Sequence, residues 1–277
     1  MGYDPHSGVQ VKTPLDPHEI YSKADCPEIV DTELRAKVWQ AHGKLIHLAV
    51  WARPGLAHAV SILGRYVHNP THKLWSAYER ASKYLIKKKD LRLVYGTPDV
   101  EGIHDVLYGS SDSDWGACLD DRRSTGSYLF FFDGASVSWK VKLSLTACLS
   151  TQEAEYIALS EATKTSKEAL NVHMLLEHLG FGNPDPTIIF CDNQGAITMS
   201  LHPSNKPATQ HIDTHIHMCQ QHVELGHIIL KFKCTISMTS DALTKQTPAP
   251  THEHHTSTTF GYQIAPLPLA AIQRVVG

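Results

Sequence analysis

The run "GSYLFFFD", residues 126–133, constrains the fold more than any other stretch of this chain. Its apolar side chains occupy consecutive positions, so neither face can be left to water, and the pattern predicts a strand buried on both faces. Such a strand needs covering layers, and the flanking sequence supplies them. Upstream, "IHDVLYGSSD" reads as a first strand. Downstream, "SVSWKV" alternates, with Val137, Trp139 and Val141 predicted to point one way and Ser136, Ser138 and Lys140 the other. The three segments predict an antiparallel meander. A long amphipathic helix is predicted next, because Ala154, Ala158, Ala162, Thr165, Ala169, Val172, Leu176 and Leu179 recur at intervals of three and four. Ser150 and Glu153 form its capping box and Gly180 its stop. Strand "TIIFCD", helix "NQGAITMS", helix "HIDTHIHMCQQHVELG", strand "HIILKFK" and helix "TSDALTK" complete the order.

The chain divides into four parts by pattern. Residues 1–31, rich in Pro, Asp and His, are expected to be extended. Residues 32–100 read as two or three packed helices, with Pro54 starting a helix after a break. "GTPDVEG", residues 96–102, marks a boundary, and residues 101–247 hold the strand–helix alternation. Residues 248–277, rich in Pro, His and Thr, are expected to form a weakly ordered tail.

Composition excludes some classes. At 277 residues and 42% hydrophobic content the chain can build packed cores, and its net charge of −3 does not mark it as a basic nucleic-acid binder. The charge is unevenly spread, however: Arg80, Lys83, Lys87, Lys88, Lys89 and Arg92 cluster and could neutralise phosphates. The six cysteines form no CxxC pair; Cys148 and Cys191 read as core residues of an intracellular, reducing setting. No apolar run is long enough to cross a membrane.

Four acids stand in distinctive contexts. Asp112 lies where the first strand gives way to a turn, and Glu155 in the first turns of the long helix. Asp192 ends a buried strand and Asp241 opens a short helix. Carboxylates from separate elements repel unless a cation offsets them. A pair of divalent ions about 3.5–4 Å apart is the usual solution where a phosphodiester is cleaved, and Mg²⁺ suits an all-oxygen donor set.

The ordered motifs "SDSDWGACLDDRRSTGSYLFFFDGASVSWK", "LSTQEAEYIALSEATKTSKEALNVHMLLEHLGF", "IIFCDNQGAI", "QHIDTHIH" and "DALTK" resemble the ribonuclease H domain of copia-type retrotransposon polyproteins. The upstream "YSKADCPEIVDTEL" and "HLAVWARPGLAHAVSILGRYVHNPTHKLWSAYERASKYLIKKKDLRLVYG" resemble the C-terminal part of the reverse transcriptase of that family. The resemblance implies an α/β, ribonuclease H-like fold, a mixed five-stranded sheet flanked by helices and preceded by a small, mostly helical reverse-transcriptase-derived region. It implies that Asp112, Glu155, Asp192 and Asp241 are catalytic residues binding two Mg²⁺ ions, with Mn²⁺ able to substitute. The implied reaction is hydrolysis of the RNA strand of an RNA/DNA hybrid to 5′-phosphate and 3′-hydroxyl ends. Ser150, Thr151, Gln152, Asn193 and Gln194 are candidates for contacting the 2′-hydroxyl or phosphates, and Lys83, Lys87, Lys88 and Lys89 for contacting the backbone. A second implied partner is the polymerase region of the parent polyprotein; no membrane is expected. The implied location is the cytoplasm, within the particle of the parent element, or the nucleus.

The chain also departs from the family. The YxDD turn of the polymerase is absent, so DNA synthesis is not expected. Gln210 and His215 replace an expected Lys and Arg, and "KCTISMTSDALTK" alters the residues before Asp241. These changes keep open a second reading, a catalytically impaired remnant that retains the fold and at most binds nucleic acid. Histidine is abundant, yet His211 and His215 lack the further ligands of a zinc site. His252, His254 and His255 are expected in the solvated tail.

Overall fold

The computed structural model describes residues 11–96, 107–144, 174–181, 185–201 and 220–261. The helical region comes first. Helix α1 (Thr32–Trp51) is capped by Asp31, whose Oδ1 accepts the Leu34 amide at 2.9 Å. After the break at Arg53, a short turn beginning at Pro54 leads into α2 (Ala57–Gly64). Helix α3 (His72–Lys87) is capped by Thr71. Leu34, Val38 and Leu45 of α1 meet Leu63 of α2 and Leu74, Ala77 and Ala81 of α3 in one apolar cluster. The expectation of an extended N-terminal segment needs correction from residue 11 onward. Val11, Leu15 and Tyr21 are buried in that same cluster, because an irregular stretch carrying large apolar side chains gains by covering the helices rather than by remaining solvated.

The second region is a sheet of β1 (Tyr108–Asp114), β2 (Thr125–Phe132), β3 (Ala135–Leu143), β4 (Thr187–Cys191) and β5 (Ile228–Phe232). Its order is β3-β2-β1-β4-β5. Strands β1 to β3 are antiparallel neighbours, while β4 runs parallel to both β1 and β5. This mixed five-stranded sheet flanked by helices is an α/β fold, as expected from the motifs. The apolar run of β2 is buried on both faces: Tyr128 and Phe130 join one cluster, Leu129 and Phe131 the other. Helix α4 (Gln194–Leu201) covers the first face through Ala196 and Ile197. The second face is met by Ala57 of α2 and Leu243 of the short helix α5 (Asp241–Thr244). Gly109 is needed on β1 because a Cβ there would stand 2.8 Å from the Phe130 ring.

Strand β3 departs from simple alternation. Phe130 pairs with Ser138 and Phe131 with Ser136, leaving Val137 as the extra residue of a β-bulge. Val137 therefore packs into the first cluster while Trp139 and Val141 pack into the second.

The expected C-terminal tail is instead helix α6 (Ala249–Phe260), started by Pro248 and ended by Gly261 at φ 82°. His252, His255 and Phe260 are buried, so the expectation of solvated histidines is also corrected. Polar composition misled there because buried groups are hydrogen-bonded to one another: His252 Nε2 lies 3.1 Å from the Tyr84 hydroxyl. The Val94 amide donates to the Phe260 carbonyl at 2.8 Å. Helix α6 is thereby fixed against the helical region. Most of the predicted long helix lies outside the described residues; its end, residues 174–178, is helical. Of the predicted helix at 211–226, residues 220–224 are described, and they too are helical. No helix among the described residues is long and apolar enough to cross a membrane.

Candidate active site

Three of the four predicted acids are described, and they sit toward one end of the sheet. Asp112 lies within β1 rather than at its end, paired across the ladder with Ser127. Asp192 directly follows β4, the parallel neighbour of β1. Asp241 opens α5. Glu155 lies outside the described residues, as do Ser150, Thr151 and Gln152.

Helix α5 is too short to be stable alone and is held from two sides. Ser127, the cross-strand partner of Asp112, donates its hydroxyl to the Ser240 carbonyl at 3.1 Å. From the other side His58 of α2, through Nδ1, donates to the Leu243 carbonyl at 3.1 Å. Burial pushes His58 down to about 4, so its ring is neutral and the carbonyl selects the Nδ1–H tautomer. These tethers place the last turn of α5 over β1, where the Thr244 hydroxyl donates to Asp112 Oδ2.

Each described carboxylate has a different partner. Asp112 is only 1% exposed. Burial pushes it up to about 6; Lys245 pulls it back, Asp241 pushes it further, and Asp192 adds a smaller push. Asp192 Oδ2 accepts the Thr235 hydroxyl at 2.6 Å. Asp241 Oδ1 takes the Lys245 ammonium at 2.5 Å. Burial opposes the charge on Lys245, but Asp112, Asp241 and Asp114 outweigh it and hold the ammonium above the usual lysine range. Asp114, at the end of β1, is itself raised by burial. A cavity of about 260 Å³ lies alongside, lined by Tyr21, His58, Arg65, Asp114, Thr125 and Lys245 among others.

The donor set consists of hard carboxylate oxygens, one of them deeply buried, and its chemistry fits a divalent cation of the Mg²⁺ kind. Among the described residues, no three His, Cys, Asp or Glu side chains are grouped tightly enough to hold a metal ion. The described carboxylates instead have Thr244, Thr235 and Lys245 as partners.

The remaining candidates divide by role. Asn193 uses its Oδ1 to cap α4, accepting the Ala196 amide at 3.0 Å, and Gln194 is exposed at the first turn. Lys83, Lys87 and Lys89 are exposed at the end of α3, and Lys88 pairs with Glu253 of α6 at 3.1 Å. Sequence pattern alone does not single out Thr244, Lys245, Thr235, Ser127 or His58. Thr244 and Lys245 stand inside the "DALTK" motif, which was the available signal; the other three carry none.

No family model matches the chain. It is 34% identical, over 86% of its length, to the "Retrovirus-related Pol polyprotein from transposon TNT 1-94" of Nicotiana tabacum, and it spans 18% of that polyprotein. It is 40% identical, over 45% of its length, to "Secreted RxLR effector protein 161" of Plasmopara viticola, of which it covers 84%. Among solved structures, the RNase H1 of the halophilic archaeon Halobacterium salinarum aligns with 50% of this chain and 92% of its own. The identity there is 15% and the TM-score 0.36.

Proposed function

The chain belongs to the retrovirus-related Pol polyproteins of copia-type retrotransposons, and from that kinship we propose that its sheet-bearing region is a metal-dependent ribonuclease H that cuts the RNA strand of RNA/DNA hybrids. The observation that carries this reading is the placement of three acids from separate elements toward one end of the sheet: Asp112 within β1, Asp192 directly after its parallel neighbour β4, and Asp241 at the start of α5, whose Thr244 reaches Asp112. Asp112, Glu155, Asp192 and Asp241 are the residues that would hold the cations. Bound there, two Mg²⁺ ions would supply Lewis-acid activation of water and neutralise charge on the phosphodiester.

The chain's own side chains do the orienting. Thr244 fixes the rotamer of Asp112 by donating to one oxygen, and Thr235 does the same for Asp192. Ser127 and His58 keep α5 seated, and so keep Asp241 and Thr244 in place. The exposed Lys83, Lys87 and Lys89 offer counter-charge to a nucleic-acid backbone, each contact adding to affinity and to its salt dependence. Ser150, Thr151, Gln152 and Gln194 are the polar groups proposed to sense the 2′-hydroxyl.

A second reading, a remnant that keeps the fold without turnover, is favoured by one observation: the described acids are dispersed onto protein partners rather than grouped for a metal. Incubating the chain with end-labelled RNA/DNA hybrid in Mg²⁺ or Mn²⁺ separates the two. Cutting confined to the RNA strand, lost in Asp192→Asn and in chelator, is expected. Absence of cutting by folded protein would give the remnant reading the better case.

A further inference from the structure

Among the described residues, Lys245 sets a positive charge against the acids of the site. Its ammonium lies 2.5 Å from Asp241 Oδ1, and Asp112 and Asp114 also act on it. The Asp241 side chain is 15% exposed and that of Lys245 38%, so the ion pair is only partly screened by water. Lys245 follows α5 directly, and its amide still bonds the Asp241 carbonyl at 3.1 Å. The backbone is therefore anchored, while the four-carbon stem can move the ammonium without moving the helix. A tethered cation thus stands among the carboxylates that would receive a divalent one.

We propose that Lys245 is a built-in counter-ion: it holds the acidic cluster together when no divalent cation is bound and must leave Asp241 for one to bind. This rests on the metal-dependent reading above and adds a positioning residue to it. The ammonium relieves the repulsion that Asp112, Asp114 and Asp241 would otherwise exert on one another. The same charge competes with a metal ion for Asp241. Lys245 therefore lowers the affinity of the site for its cation while protecting the empty site from coming apart. Two consequences follow. The side chain is released to solvent when metal enters, and removing its charge tightens metal binding.

The test uses the full chain and two readouts other than turnover. The first is the rate at which a lysine-acylating reagent modifies Lys245, read by mass spectrometry with and without Mg²⁺, with the exposed Lys44 of α1 as internal reference. Release is expected to raise the Lys245 rate severalfold while the Lys44 rate stays constant. The second is Mn²⁺ binding to the wild-type chain, Lys245→Met and Lys245→Arg, by electron paramagnetic resonance of the free ion. Loss of the charge should tighten binding about tenfold, and arginine should restore the wild-type value. The acylation measurement needs no variant, so it decides the matter even if Lys245→Met fails to fold. If the wild-type chain binds Mn²⁺ and Lys245 labelling is unchanged, the counter-ion role is wrong and the metal reading stands. If the wild-type chain binds no Mn²⁺, the metal reading itself is wrong and the role of Lys245 falls with it.

Discussion

Thr244 donates its hydroxyl to Oδ2 of Asp112, joining the last turn of a four-residue helix to the middle of a central strand. The bond spans 132 positions of sequence and reaches a carboxylate that is 1% exposed. Valine in place of Thr244 keeps the shape and removes the donor. A hydrogen bond to a charged group contributes about 1.5–3 kcal/mol. Thr244→Val should lower stability by about that amount in urea denaturation and cut hybrid cleavage at least about tenfold. Thr244→Ser should recover most of both. Unchanged cleavage in the valine variant would show that Asp112 needs no orienting partner.

The buried histidines set an acid limit on stability. Burial holds His58, His252 and His255 each at about 4, well below the ordinary value of 6.5. Between those values the unfolded chain binds protons that the folded chain does not, so stability falls as pH drops from 6.5 toward 4. The slope from each group is about 1.4 kcal/mol per pH unit. Urea midpoints measured across that window should decline steeply, and His252→Phe should flatten the decline. A flat profile in the wild-type chain would mean these rings are protonated in the fold.

Helix α6 is part of the structure and not an appendage. Phe260 is 1% exposed, and the guanidinium of Arg53 lies 5.8 Å from the centre of its ring. Phe260→Ala should cost about 3–5 kcal/mol, and stopping the chain at Thr247 should leave aggregating protein, because apolar surface of the helical region and of β3 would be uncovered. Thermal melts and sedimentation of the two variants check this; a truncated chain that melts like the full one would make α6 dispensable.

Asp120 ties the N-terminal segment to the turn between β1 and β2. Its Oδ1 accepts the Ser22 hydroxyl and the Lys23 amide, each at 2.8 Å, and its Oδ2 accepts the Tyr66 hydroxyl at 3.1 Å. Asp120→Ala removes the acceptor of the Ser22 hydroxyl and the Lys23 amide and frees the segment, while the Tyr66 hydroxyl keeps the Tyr21 carbonyl as its partner at 2.8 Å, at a cost of about 1–3 kcal/mol. Amide exchange over residues 19–26 should accelerate, while exchange in β4 and β5 stays as it was. Uniform acceleration would point to a global rather than a local tie.

Gly109 and Phe130 interlock on adjacent strands. A methyl group at Gly109 would stand 2.8 Å from the ring, and overpacking of this kind costs about 1–3 kcal/mol. Gly109→Ala should lower the melting temperature, and pairing it with Phe130→Leu should recover part of the loss. Additive losses would show that the ring is free to move aside.

Local sequence determined the elements wherever one residue pattern had one physical solution. The unbroken apolar run of β2, the break at Pro54 and the strand ending at Asp192 could each be read directly, because backbone and side-chain periodicity impose them without help from distant residues. The order of motifs pointed to a mixed sheet and to three of the acids it brings toward one end. Tertiary structure decided what depends on partners far away in the chain. Val137 reads as one more residue of an alternating strand, yet the bulge opposite Phe130 and Phe131 turns it to the other face. His252 and His255 read as solvent-loving, yet they are buried where Tyr84 and the packing of α6 accept them. Nothing near Asp112 in sequence announces Thr244 or Lys245 as its neighbours. Electrostatics within the assembled fold, not periodicity along the chain, placed a hydroxyl and an ammonium among these carboxylates, because buried like charges persist only where something nearby offsets them.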